Sequence, residues 1–168
     1  PLRDPEVVSK AIEAGVRNKV AMKVGGKTDK LHGAPIEVRG VVKLISDGKF
    51  VMKGPMETGT VVNLGRTVVL DVDGIEIMLT EQRVQPMDLE QYRAFGIEPT
   101  EKKVLVVKSA VHFRAVHEPI AKEILEVDGP GIHGTRLAAF GYKKIRRPMF
   151  PIDPETLGIS ELRRSLSE

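Results

Sequence analysis

The fold is decided by the stretch TVVLDVDGIEIMLT, residues 67–80. Two runs of strand-forming residues, Thr67–Val72 and Ile75–Thr80, flank the dipeptide Asp73-Gly74. Asp-Gly between two such runs is typical of a hairpin with a two-residue turn, because both residues tolerate a positive φ. The stretch therefore predicts two antiparallel strands joined by a tight turn.

The region before this stretch has the same pattern. The runs Ile36–Ser46 and Phe50–Lys53 flank a second such dipeptide, Asp47-Gly48. Two hairpins in succession favour an antiparallel sheet in the middle of the chain.

Helical signals flank this predicted sheet. Asp4 followed by Pro5 is typical of a helix start, Gly15 is a plausible stop, and a strand is expected over Val20–Val24. Further on we expect a short helix at Met87–Phe95 and a buried strand at Val104–Val107, and residues 1–168 should form a single domain. The predicted fold class is α/β in the broad, mixed α+β sense: a mixed sheet with antiparallel hairpins in the middle and flanking helices.

Composition narrows the class of protein. The chain has 168 residues, of which 41% are hydrophobic and 29% charged, a globular balance. With 26 basic and 23 acidic residues, mostly interleaved, the net charge is only +3, so nucleic acid is not an expected partner. The apolar runs are only a few residues long, so no membrane span is expected. No signal-peptide pattern opens the chain, which makes a cytoplasmic location the default expectation. Lys143–Arg147 is the one basic cluster that could bind an anion.

The segment Gly25–Thr28 ends in Gly-Lys-Thr, as a phosphate loop does. Ala21 stands where that motif needs its first glycine, and no helix is expected after the threonine, which argues against nucleotide binding. What remains is a turn after a strand that brings Lys27, Thr28, Asp29 and His32 near one another. A binding role and a purely structural turn are equally consistent with this pattern.

Polar side chains able to bind a ligand are most concentrated in Lys108–Arg114. Four polar side chains follow a predicted strand end here, namely Lys108, Ser109, His112 and Arg114. Ligands of α/β sheets favour the carboxyl ends of strands, and two cations with a hydroxyl and an imidazole suit a carboxylate or another anion. The alternative is that these side chains pair with acids of the same chain and fix the loop.

We expect neither a metal site nor a complete catalytic site within this chain. It has no cysteine, and the pair His112 and His117, five residues apart, would not share one face of a helix. Ser109 with His112 could form a nucleophile and base, but no strand-turn-helix elbow or oxyanion hole is indicated.

Several motifs in order resemble the C-terminal region of the MlrC family, the microcystin-degradation protein C-like proteins. They are GGKTD at 25–29, LHG at 31–33, VVKS at 106–109, VHFRA at 111–115, and RRP to PID over 146–153. The resemblance extends from Asp4 to about Asp153. Each motif is loose by itself, whereas their order and spacing together are fairly specific.

This resemblance implies a zinc-dependent peptidase whose zinc ligands lie in a larger N-terminal metal domain. That domain is absent from this sequence, and the first residue, Pro1, is not a methionine, so we expect a truncated protein. Zinc is therefore expected in the full-length family protein and no cofactor in this chain, which alone should be inactive. The implied partners are the N-terminal metal domain and a small peptide substrate.

Two main hypotheses for the function remain open, and a third possibility is a small anion- or nucleic-acid-binding module that uses Lys143–Arg147. In the first, Lys108 and Arg114 hold a substrate carboxylate, Ser109 and His112 hydrogen-bond to the peptide, and the segment from Lys27 to His32 lines the other edge of a cleft. In the second, the chain is a non-catalytic interaction or assembly domain, in which the motif residues are structural. A homo-oligomer is compatible with either hypothesis.

Overall fold

The computed structural model describes residues 1–30, 33–127, 129 and 137–153. The chain divides into two compact units, Pro1–Glu126 and Val127–Glu168. The first unit holds all the strands within the described ranges. In the second unit, the described regular structure is a single 3-10 turn at Leu137–Phe140.

A five-stranded sheet forms the centre of the first unit. Its strands are β1 (Leu2–Arg3), β2 (Lys19–Val24), β3 (Ile36–Ser46), β6 (Thr67–Val72) and β7 (Ile75–Thr80). Their order is β1-β7-β6-β3-β2, with β1 parallel to β7 and every other pair antiparallel. A separate two-stranded sheet pairs β4 (Lys49–Val51) with β5 (Val61–Asn63). The predicted class, a mixed sheet within an α+β arrangement, is confirmed, although strands outweigh the few helices.

The helix α1 (Pro5–Ala14) begins and ends where the sequence predicts. The side chain of Asp4 accepts a hydrogen bond from the backbone N–H of Val7, Pro5 occupies the first turn, and Gly15 ends the helix with a φ of 82°. These are the standard solutions for the unpaired groups at helix termini.

The hairpin at residues 67–80 is confirmed. Val72 pairs with Ile75, and both turn residues have positive φ, 51° at Asp73 and 87° at Gly74. Two positive φ values at the central residues are the requirement of the tight hairpin turn.

The hairpin predicted for Ile36–Ser46 and Phe50–Lys53 is wrong. The strand β3 pairs with β2 and β6, whereas β4 pairs with β5 in the other sheet. At the turn, Gly48 has a φ of 78° but Asp47 does not have a positive φ. This turn therefore carries the chain out of the large sheet instead of folding it back on β3.

The predicted helix at Met87–Phe95 is shorter than expected. Only α2 (Glu90–Arg93) is helical, with the side chain of Asp88 accepting a hydrogen bond from the backbone N–H of Glu90 at 2.8 Å. Gly96, with a φ of 72°, ends this segment as predicted.

The predicted buried strand at Val104–Val107 is wrong. The segment belongs to no sheet, and Val104 and Val106 are 79% and 84% exposed. Four consecutive apolar residues indicate a strand covered on both faces, but here Leu105 packs against the core whereas Val104 and Val106 face solvent. After it comes a short helix, α3 (Arg114–His117).

The core has two parts, one on each face of the large sheet. The helix-side cluster packs α1 against the sheet and includes Val8, Val68 and Leu70. The hairpin-side cluster includes Phe50, Val69 and Phe95, with the two aromatic rings edge to face at 6.3 Å. Successive side chains of β6 point to opposite faces of the sheet, so Val68 and Leu70 lie in one cluster and Val69 in the other. The sheet is therefore covered on both faces. None of the helices within the described residues is long and apolar enough to cross a membrane.

Candidate functional site

The first predicted segment is fixed to the start of α1. Asp4 is buried, and besides capping the helix it accepts a hydrogen bond from the backbone N–H of Gly25 at 3.1 Å. The ammonium of Lys27 lies 2.9 Å from Oδ1 of Asp4 and 3.1 Å from Oε2 of Glu6. One buried carboxylate thus joins the helix terminus to the Gly-Gly-Lys turn.

These pairs shift the ionisation of both exposed partners. Burial acts to lower the pKa of Lys27, but hydrogen bonds to Asp4 and Glu6 outweigh it and raise the pKa. Hydrogen bonds from Lys10 and Lys27 lower the pKa of Glu6. Lys27 is therefore charged at neutral pH, and its charge is balanced by acids of its own chain.

The remaining residues of this segment differ in their surroundings. The hydroxyl of Thr28 accepts a hydrogen bond from the guanidinium of Arg83 at 3.3 Å. Asp29 is half-buried and engaged by an interaction within the chain. His32 lies outside the described residues.

In the second predicted segment, two of the four residues are held by neighbours. The hydroxyl of Ser109 donates to the side-chain carbonyl of Gln85 at 3.0 Å. The guanidinium of Arg114 pairs with Glu118 and Glu126, and it lies over the ring of Phe113 at 5.4 Å from the ring centroid. Its charge is balanced in the same way as that of Lys27.

Lys108 and His112 differ from Ser109 and Arg114 in their surroundings. Both are exposed, and neither forms a hydrogen bond or an ion pair with any part of the chain that the structure describes. Among the predicted residues that the structure describes, these two offer a cation and an imidazole that no described residue engages.

The two segments share a support that sequence reasoning missed. Thr28 contacts Arg83 and Ser109 contacts Gln85, two residues apart in the chain that follows β7. A span of three residues is at most about 10 Å, so both segments are anchored to one short stretch. Polar residues directly after the end of a strand were the available signal for this stretch.

A second group that the sequence did not indicate is a buried polar cluster of Gln91, Tyr92 and His117. The rings of Tyr92 and His117 meet edge to face at 5.7 Å, and Nδ1 of His117 lies 2.8 Å from the carbonyl oxygen of Phe113. Burial lowers the pKa of His117 and raises the pKa of Tyr92. The Gln91 amide, the Tyr92 hydroxyl and Nε2 of His117 have no hydrogen-bond partner among the residues described.

The described residues include no group of three or more histidine, aspartate or glutamate side chains that could hold a metal ion. In the second unit, Lys143, Lys144 and Arg146 are exposed, whereas Arg147 pairs with Asp153. The basic cluster predicted from the sequence thus keeps three of its four charges free of ion pairs with described residues.

The fold and these motifs define a family. The chain belongs to the MlrC C-terminus family, which it matches over residues 1–144. The resemblance indicated by the motif order is thereby confirmed.

Two particular proteins are similar to this chain. Microcystinase C of Sphingomonas sp. is 30% identical over 154 residues, which are 92% of this chain and 29% of that protein. A crystal structure from Mesorhizobium sp. BNC1, provisionally described as a metallopeptidase, matches with a TM-score of 0.79 and 29% identity over 91% of this chain and 30% of its own. The chain therefore spans about three-tenths of the length of either relative.

Proposed function

We propose that this chain is the C-terminal part of a metal-dependent peptidase, and that its loop at Lys108–His112 orients the substrate. The cleft would be completed by the metal-binding region that we assign to the remaining length of the longer relatives. The observation that carries this proposal is that Lys108 and His112 are exposed and have no partner among the described residues, whereas their neighbours Ser109 and Arg114 are already engaged. Side chains free of internal partners keep their full capacity to bind a ligand.

The family implies zinc, and zinc supplies polarisation of a carbonyl and activation of water when it is bound in a peptidase. The described residues of this chain do not fit a zinc site, since no set of three suitable ligands comes together. We therefore place the metal with the N-terminal domain expected in the full-length family protein, and no step assigned to this chain passes through it.

The role of this chain is to bind and orient. The ammonium of Lys108 holds a carboxylate of a small peptide, and the imidazole of His112 hydrogen-bonds to the peptide backbone. Arg114 and Lys27 hold the two segments in place, since their charges are already paired. Thr28 and Asp29 would line the opposite edge of the cleft, and Ser109 fixes the loop through Gln85.

The test is a peptidase assay on a polypeptide that carries this chain together with the metal-binding region. Lys108→Ala should lower kcat/KM roughly 10- to 100-fold through KM, the equivalent of one charge-assisted hydrogen bond. The loss should occur with peptides that end in a free carboxylate and should disappear with the same peptides as C-terminal amides.

Lys103→Ala is the matched control, because Lys103 is exposed in the same stretch and forms no ion pair with the described residues. This variant should keep wild-type kinetics with both peptides. An equal loss for acid and amide substrates in Lys108→Ala, or no loss at all, would contradict the assigned role. His112→Ala should lower kcat/KM for both substrate forms, and unchanged turnover would remove His112 from the proposal.

A second candidate function is a non-catalytic assembly domain, favoured by the internal pairing of Lys27 and Arg114. In that case Lys108→Ala and His112→Ala would leave turnover unchanged, whereas Lys27→Ala and Arg114→Ala would lower only the stability. The same four variants therefore separate the two functions.

A further inference from the structure

Arg83 lies in the short stretch that supports both segments of the candidate site. Its guanidinium donates to the hydroxyl oxygen of Thr28 at 3.3 Å and forms no ion pair with any residue that the structure describes. Elsewhere in the first unit, Arg66 and Arg93 each pair with a glutamate. A guanidinium has five N–H donors, so Arg83 keeps most of its capacity to bind an anion.

The packing of the neighbouring residue directs Arg83 outward. Residues 83–85 belong to no strand, but Val84 packs against the hairpin-side cluster whereas Arg83 and Gln85 are exposed. This alternation is that of an extended chain, in which alternate residues point to the same side. Two residues span at most about 7 Å, so Arg83 lies close to Gln85, the residue that holds Ser109.

Thr28 adds a second donor beside Arg83. Because its oxygen accepts the bond from Arg83, its own O–H proton can be donated, and no described residue accepts that proton. A carboxylate accepts hydrogen bonds at both oxygens, so an adjacent guanidinium and hydroxyl suit it. The charge of Lys27, the residue before Thr28, is already balanced by Asp4 and Glu6 and does not compete for such a ligand.

We propose that Arg83, together with the hydroxyl of Thr28, binds an acidic side chain of the peptide substrate. This inference rests on the proposed function, in which Lys108 binds the C-terminal carboxylate. The hydrogen bond from Ser109 to Gln85 joins the loop that carries Lys108 to the stretch that carries Arg83. An extended peptide of three or four residues is about 10–14 Å long, which suits two cations on segments joined in this way. The substrate class is therefore a short peptide with an acidic residue before its C-terminus.

The alternative is that Arg83 serves only to fix Thr28. Their hydrogen bond lies at the long end of the range for N–H···O bonds, and both groups are exposed, so water can replace either partner. We therefore expect Arg83→Ala to keep the wild-type thermal midpoint, which circular dichroism checks. A structural role would lower the midpoint and would affect all substrates equally.

The test uses the polypeptide that carries this chain together with the metal-binding region, and tetrapeptides with a free C-terminal carboxylate. Glutamate is placed in turn at each position before the last, with glutamine at the same position as the neutral reference. The wild type should prefer glutamate in at least one position. Arg83→Ala should lower kcat/KM for that peptide roughly 10-fold and leave the glutamine peptide unchanged. Arg83→Lys should keep part of the preference, because it retains the charge but loses the planar fork.

Three further variants show which group reads which charge. Thr28→Val removes the hydroxyl and should lower the preference for glutamate by a smaller factor than Arg83→Ala. Lys108→Ala should lower kcat/KM for glutamate and glutamine peptides alike, because it acts on the C-terminal carboxylate that both carry. Arg17→Ala is the matched control, since Arg17 is exposed between α1 and β2 and forms no ion pair with the described residues. It should keep wild-type kinetics with every peptide.

Equal kcat/KM for glutamate and glutamine at every position, or a preference that survives Arg83→Ala, would overturn the role of Arg83. A preference that is lost in Arg83→Ala while Lys108→Ala has no effect would support Arg83 and contradict the role of Lys108.

A binding measurement separates failure of this inference from failure of the proposed function. The same peptides are titrated into the isotope-labelled chain Pro1–Glu168, and the side-chain Nε–H resonance of Arg83 is followed by NMR. The glutamate peptide should shift this resonance more than the glutamine peptide does. If the longer polypeptide hydrolyses none of the peptides, the proposed function fails, and equal shifts with both peptides would then overturn the role of Arg83 as well.

Discussion

Replacing Asp4 with alanine tests whether this one carboxylate holds the start of α1 and the Gly-Gly-Lys turn together. Asp4 is 3% exposed, and its side chain caps α1, accepts from Gly25 and pairs with Lys27. Loss of a helix cap costs about 1 kcal/mol. Loss of hydrogen bonds to a charged group costs about 1.5–3 kcal/mol, so we expect Asp4→Ala to lower the free energy of unfolding by about 2.5–4 kcal/mol in total.

The assay is urea unfolding followed by circular dichroism, with the slope against urea compared between variants to check that the unfolded state is unchanged. Asp4→Asn keeps an oxygen for the cap while it loses the charge, and should retain about half of the lost stability. Glu6→Gln, at an exposed partner of Lys27, should leave the urea midpoint close to that of the wild type. A loss below about 1 kcal/mol in Asp4→Ala would refute the reasoning.

Three further predictions address the backbone, an exposed ion pair and the buried polar cluster. Gly48 and Gly59 both have a positive φ, but of the two only Gly48 would bring a new Cβ against a backbone oxygen. In urea unfolding, Gly48→Ala should therefore lower the free energy of unfolding by at least about 3 kcal/mol and Gly59→Ala by about 1 kcal/mol. Hydrogen bonds from Arg93 hold the pKa of Glu98 at about 2, so its stabilisation is present above pH about 4.5 and is lost as the pH falls towards 2. The thermal midpoints of the wild type and Glu98→Gln should therefore converge over that window, and a constant difference would contradict the pair. Tyr92→Phe removes a buried hydroxyl that has no partner among described residues, and should keep or raise the free energy of unfolding by up to about 1 kcal/mol; a loss above that would reveal a missed partner.

The parts of the fold that the sequence predicted are those decided by neighbouring residues. The cap at Asp4 and the turn at Asp73-Gly74 each depend on side chains within a few positions. The turn at Asp47-Gly48 has the same two residue types but a different outcome, because both edges of β3 are already paired, one with β2 and the other with β6. Pairing across the sheet overrides a local turn signal.

The strand predicted at Val104–Val107 was wrong for a different reason. Four apolar residues in a row are compatible with burial on both faces or on one, and composition alone does not separate these cases. The structure packs Leu105 and leaves Val106 exposed. Covering the second face requires another element, and no pattern within the segment predicts one.

For the candidate site, the sequence predicted the residue types but not their partners. Lys27 and its partner Asp4 are 23 positions apart, and only the return of β2 alongside α1 brings them together. Similarly, the pairing of Arg114 with Glu126 depends on how the chain turns after α3. Lys108 and His112 stand out only once the pairing of their neighbours is known.

The sequence of strand β6 makes the unfolded chain prone to aggregate. Val68, Val69 and Leu70 are all fully buried, because the sheet is covered on both faces. Together with Thr67 they form a short, uncharged run with three β-branched residues, a composition typical of segments that stack in amyloid-like sheets when exposed. Arg66 and Asp71 place opposite charges directly at its two ends, as gatekeepers that oppose self-association during synthesis and refolding. In the native sheet this run is buried between the two core clusters and cannot pair with another chain. Protection against aggregation therefore requires that both clusters form early in folding.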